Sequence, residues 1–174
     1  MPTVRRITTE FIESEDRIRV TAITESDETL ILWTTQRLLL RLLAHFVAWL
    51  EKNTPIFAAD SPADTQTRSA LQGFAQHSAA VELKKQSPVL PGSDSRAWLV
   101  NEVDIKNNDK EVLLVFKCAD AQPAELRLTV QQLRQWLAIL HMLWKKADWP
   151  MAVWPAWMDE DAATAAKSSD SAVH

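Results

Sequence analysis

Apolar and polar residues alternate in short runs along the first third of the chain, and the period then changes. Arg17 to Ile23 places Ile18, Val20 and Ala22 on one face, the two-residue repeat of a half-buried strand. The β-rich run Ile7 to Ile12 precedes it across a Ser14-Glu15-Asp16 turn, and Thr29 to Trp33 follows across Glu25 to Glu28. From Gln36 to about Lys52 the pattern becomes helical, with Thr34 or Thr35 placed to cap and Asn53, Thr54 and Pro55 placed to stop it.

Residues 97–147 repeat this order. Trp98 to Ile105 reads as a strand, Lys106 to Lys110 as a hairpin turn, and Val112 to Phe116 as a continuous apolar strand. Ala119 to Pro123 turns the chain into a short strand, Leu126 to Leu128, and Thr129 caps a helix from Val130 to about Ala147. Residues 95 apart match: Thr34 with Thr129, Gln36 with Gln131, Leu38 with Leu133, Leu42 with Leu137, and Trp49 with Trp144. The pattern predicts a duplicated β-β-β-α unit. Any meander leading into a Leu-rich helix would show part of this likeness, and the element order stands without it.

Between the two runs, Ser61-Pro62-Ala63-Asp64 has the chemistry of a helix start. A connecting helix over about 62–83 follows, with Leu71, Phe74, Ser78 and Val81 on one face. Ser87 to Ser95 is rich in Pro, Gly and Ser and reads as a loop. Trp149 to Met158 is apolar but broken by Pro150 and Pro155, so it is no regular helix. The expected fold class is α+β: two antiparallel three-stranded meanders, each leading into a long helix, joined by the connecting helix. This predicts one domain over 1–158, with halves at about 3–54 and 97–150 and the connector at 55–96. An acidic tail over 159–174 is expected to be disordered.

The long helices carry an unusual amount of apolar surface. Leu38, Leu39, Leu40, Leu42, Leu43, Phe46, Val47, Trp49 and Leu50 nearly encircle the first. Such a helix is buried on more than one side, against its own chain or against a second copy. In the second helix, Val130, Leu133, Leu137, Leu140, Trp144 and Ala147 step by three and four, the spacing of a helix-pairing seam, and Trp136, Ile139 and Leu143 form an adjoining row. Two small sheets offer less cover than these helices need. The pattern therefore predicts a homodimer that self-associates through Leu39, Leu43, Phe46, Trp136, Ile139 and Leu143. Trp154 and Trp157 are candidates for docking a separate protein partner, since Trp anchors interfaces well. The alternative is that the Trp segment folds back as a lid.

Composition narrows the chemistry. Of a net charge of −4, the segment from Asp159 onward carries −3, so the body is nearly neutral. That disfavours a nucleic-acid or anionic-membrane binder driven by bulk charge. Only two glycines occur, Gly73 and Gly92, too few for a phosphate-cradling loop or dinucleotide fingerprint. The single cysteine, Cys118, excludes a disulfide framework and favours a reducing, cytoplasmic setting. No run reaches the ~20 apolar residues of a membrane span.

Candidate catalytic groups are sparse. His45 and His141 sit at similar places on the two helices without base–nucleophile or metal-ligand spacing. Asp104, Asp109 and Asp120 lack the glycine and spacing of a calcium loop. No cofactor, metal or catalytic residue is assigned. The expected function is a non-enzymatic interaction protein: an adaptor, assembly factor or small chaperone-like binder. The competing readings are a nucleic-acid-associated protein using Arg5, Arg6, Arg37 and Arg41, and a small enzyme using His45 or His141.

Overall fold

The computed structural model describes residues 1–53 and 64–159. Six strands and three helices make an α+β fold. The strands are β1 (Thr3–Ile12), β2 (Arg17–Thr24), β3 (Thr29–Thr34), β4 (Arg96–Asn107), β5 (Glu111–Cys118) and β6 (Ala124–Thr129). The helices are α1 (Gln36–Asn53), α2 (Thr65–Val81) and α3 (Val130–Lys146). Ser61 to Ala63 and residues 160–174 lie outside the described residues, so the expected Ser61 cap and most of the acidic tail do too. Within the described residues, α2 is capped by Asp64, whose Oδ1 accepts the Thr67 N–H at 2.7 Å.

The two meanders are antiparallel as the alternation predicts, but they are not separate sheets. β3 pairs in parallel with β4, and β1 with β6, closing one six-stranded barrel. Both parallel seams are short. Only Thr3 and Val4 of β1 pair with Glu125 and Leu126, and only Leu30 to Trp33 of β3 pair with Arg96 to Leu99. The barrel is cinched at one end, which we call the mouth, and splays at the other, where α1 and α3 begin.

Side chains fill the barrel in layers, as alternation demands. Ile18, Thr34, Val112 and Leu128 form the base, Val20, Leu32, Leu114 and Leu126 the middle, and Ala22, Leu30, Phe116 and Ala124 the top. Thr34 hides its hydroxyl at the base by donating to the Ile18 carbonyl at 3.0 Å. The helices close the base. Thr35 and Thr129 accept backbone N–H groups of their first turns, and Gln132 completes a capping box on α3. The Phe46 and Trp136 rings meet with centroids 6.0 Å apart, and Trp136 Nε1 donates to Thr9 Oγ1 on the inner face of β1.

The registers of β2 with β3 and of β5 with β6 repeat at a spacing of 94, not 95, while β1 and β4 match at 96 in their hairpins. Ile18 pairs with Thr34 as Val112 pairs with Leu128, and the bulge opposite Thr24 and Ile23 recurs opposite Cys118 and Lys117. The buried positions of α1 recur at the same spacing in α3. Trp49 therefore corresponds to Leu143, not to Trp144. The residue matches 95 apart pair chemically alike side chains that occupy different places.

The apolar excess on the helices is absorbed within one chain. Leu39, Leu43, Phe46, Trp136 and Leu143 are all buried, and Ile139 is half-buried against the same core. This corrects their reading as a self-association surface. Barrel closure and the segment after α3 supply the cover that two isolated meanders would lack. That segment wraps back over the core as a lid, with Trp154 and Trp157 both buried. Trp149 Nε1 donates to Asp16 Oδ1 and Trp157 Nε1 to Glu51 Oε1, each at 3.0 Å. Trp144 sits edge-on to both Trp149 and Trp154.

Helix α2 packs on α3 and on the turn Ala156–Met158 through a polar and small face of Gln72, Gly73, Gln76 and Ala79. Gln76 Nε2 donates to the Arg134 carbonyl at 2.7 Å, Gln72 Nε2 to the Leu50 carbonyl at 3.2 Å, and Gln135 Nε2 to the Ala79 carbonyl at 3.1 Å. Burial pushes the Arg134 guanidinium down to about 10, and it lies 5.7 Å from the Trp157 ring centre. Gly73 faces the Trp157 backbone, where an added Cβ would meet the carbonyl oxygen at 3.5 Å, an ordinary packing contact.

Candidate functional site

Two surfaces remain after the core is accounted for. The first is the outer face of α2. With Gln72, Gln76 and Ala79 turned inward, Leu71, Phe74, Ser78 and Val81 are carried to the far side. Phe74 is 62% exposed and Val81 71%, while Leu71 is half-buried. Phe74 and Val81 are thus two exposed apolar side chains on one helix face, whereas Leu90 and Met142 are exposed singly. Arg68 and Glu82 are exposed along one flank of the stripe. The Glu82 carboxylate accepts from Gln131 Nε2. The 3-4-3 spacing of this stripe was legible in the sequence, but not its outward direction, which the buried glutamines decide.

The second surface is the mouth of the barrel. A cleft of about 920 Å³ opens there, walled by the β2–β3 turn, the loop before β4 and the β5–β6 turn. Its floor is apolar: Leu30, Leu32, Trp98, Phe116 and Ala124, with the half-buried Cys118 beside them. The cleft lies above the barrel's packed interior, between the three turns that converge at this end. Its rim is charged. It carries Asp27, Glu28, Asp94 and Asp120 together with Arg96 and the amino-terminal Met1. Asp27 is tied to Arg5 at 2.7 Å, whereas Glu28, Asp94 and Asp120 have no ion-pair partner among the described residues. Burial raises the Cys118 thiol above its ordinary 9.0, so it stays a neutral thiol.

The other candidates are dispersed. Arg5 is engaged near the mouth, while Arg37 and Arg41 lie exposed on α1 at the opposite end, so the four arginines form no common patch. His45 is exposed, and its Nε2 accepts from Asn107 Nδ2 at 3.1 Å. His141 is buried edge-on to Trp154, with Nε2 3.9 Å from Asp159 Oδ1. Neither histidine lines the mouth. Among the described residues, no three His, Cys, Asp or Glu side chains gather as a metal site, and no helix is long and apolar enough to cross a membrane.

No family model, curated protein or solved structure matches the chain. Its function is argued from these surfaces.

Proposed function

We propose that the chain is a non-enzymatic interaction protein that works as a homodimer, with two copies meeting through the outer face of α2. The observation that carries this is the direction of the stripe Leu71, Phe74, Ser78 and Val81, which points away from a core already complete without it. Steps of three, four and three suit pairing with another helix. A second copy set antiparallel about a two-fold axis puts Leu71 against Val81 and the large Phe74 ring against the small Ser78. The same placement brings Arg68 of each copy to Glu82 of the other, twice by symmetry, with Ala75 near the axis allowing close approach. The stripe is short of the ~800 Å² per partner of a standard interface, so the dimer is weak, with a Kd on the order of 10–100 μM.

Sedimentation from 2 to 500 μM (roughly, bracketing that Kd) tests this. The mass rises from 19.7 kDa toward twice that value as concentration increases. Arg68→Glu alone and Glu82→Arg alone each weaken the dimer, and the two together restore it. A monomer at every concentration, or a dimer indifferent to Phe74→Glu, sinks the reading.

We also read the two β-β-β-α runs as copies of one ancestral unit. The support is the spacing of 94 shared by the second and third strands and by the buried helix positions, with a bulge recurring in the first strand of each run.

A further inference from the structure

We infer that the mouth of the barrel is a binding site for a small organic cation that carries an apolar or aromatic group. This goes beyond the dimer and uses no residue of α2. Three features converge on that chemistry. The cleft, at about 920 Å³, lies within the roughly 300–1,000 Å³ range of small-molecule sites, and barrel mouths are a recurrent place for them. Its floor offers the half-buried Trp98 ring with the edge of Leu30 beside it, which favours an apolar body. Its rim then selects the charge.

Asp27 is neutralised by Arg5, while Glu28, Asp94 and Asp120 come from three different loops and outnumber the two cationic groups of the lining, Arg96 and the Met1 amino group. An anion entering there meets an excess of like charge. A cation gains carboxylates within reach from more than one side, and Trp98 adds a ring face that attracts positive charge. A closed barrel presents no free strand edge at the mouth, so an added β-strand from a peptide has nothing to pair with there. A compact molecule fits better than an extended one.

The probe is phenethylamine, protonated at neutral pH, with phenylacetate as an anion of similar size. Titration is followed by backbone amide shifts of the full chain. Saturable shifts are expected at residues 26–30, 92–98 and 118–124, with a Kd of about 1 mM for so small a ligand. Phenylacetate leaves them unmoved. The pair Asp94→Asn and Asp120→Asn together weakens binding about fivefold. Trp98→Ala removes the half-buried ring of the floor and weakens binding, the rest of the spectrum reporting that the fold is kept. Bound phenethylamine also slows alkylation of Cys118 by iodoacetamide, a readout independent of the spectrum. Arg68→Glu, which breaks the proposed dimer, leaves all of this unchanged. Absence of saturable shifts up to about 10 mM (tenfold above that Kd), equal binding of phenylacetate, or indifference to the double Asn variant overturns the site.

Discussion

Arg134 donates from its guanidinium to the Gln72 side-chain carbonyl at 2.6 Å, a polar bridge from α3 to α2 in a place where the apolar spacing of α2 would have put leucine. The bridge fixes which way α2 faces. Gln72 and Gln76 are the buried residues of α2 that reach other elements by hydrogen bonds, and they do so on the side away from Phe74. A buried guanidinium needs such partners, because an unmet charge costs far more than an unmet apolar contact. Polar satisfaction outranks the hydrophobic stripe, and the stripe is left for solvent or for a partner.

Gln72→Ala is therefore expected to destabilise the chain by about 2–3 kcal/mol, the range for losing hydrogen bonds that include one to a charged group. Urea unfolding measures it. A change under about 0.5 kcal/mol would mean the bridge is not what holds α2.

Thr21 lies wholly buried on β2, and its hydroxyl has no hydrogen-bond partner among the described residues. Its strand partner Thr8 accepts the Val89 N–H at 2.8 Å, so the loop after α2 comes down on this outer face and shuts out water. Thr21→Val keeps the branched shape and removes the stranded hydroxyl. It is expected to stabilise by about 0.5–1.5 kcal/mol, seen as a higher urea midpoint with an unchanged slope. Destabilisation would show that the hydroxyl is satisfied in solution.

Lys117 on β5 holds Asp104 at 2.8 Å and Glu102 at 3.3 Å on the outer face of the second meander. The hydrogen bond from Lys117 keeps the Asp104 carboxyl below its ordinary 3.8, and Asp104 in turn raises Lys117 above 10.5. A carboxyl lowered on folding adds stability above its unfolded value and loses it as pH falls through the folded one. Both groups are exposed, so solvent keeps the gain small. Lys117→Met is expected to return the Asp104 midpoint to the ordinary carboxylate range, read by carboxyl carbon shifts from about pH 2 to 6. An unchanged midpoint would assign the shift to another neighbour.

Local order was legible in the sequence, and closure was not. Alternation, β-rich composition and one continuous apolar run marked the strands, and Thr129 and the pair Thr34 and Thr35 marked two helix starts, because these signals depend on near neighbours. The parallel seams join residues that no local pattern links, such as Val4 with Leu126. Missing them made two small sheets out of one barrel and left leucines and tryptophans that seemed to need a second copy. The mouth escaped notice for a related reason. Its walls come from three segments far apart in the chain, around residues 26–30, 92–98 and 118–124, which only closure brings together. The α2 stripe was visible as a spacing, but its direction depended on Arg134, which arrives from another helix.

The short seams also set an order of events for a growing chain. Thr3 and Val4 find their partners only once Glu125 and Leu126 have left the ribosome, and β3 waits for Arg96 to Leu99. Until then the amino-terminal meander carries bare strand edges on both flanks, the feature that invites wrong pairing between nascent chains. Long-range closure of this kind makes folding slow, and it makes the final hairpin the step that commits the molecule.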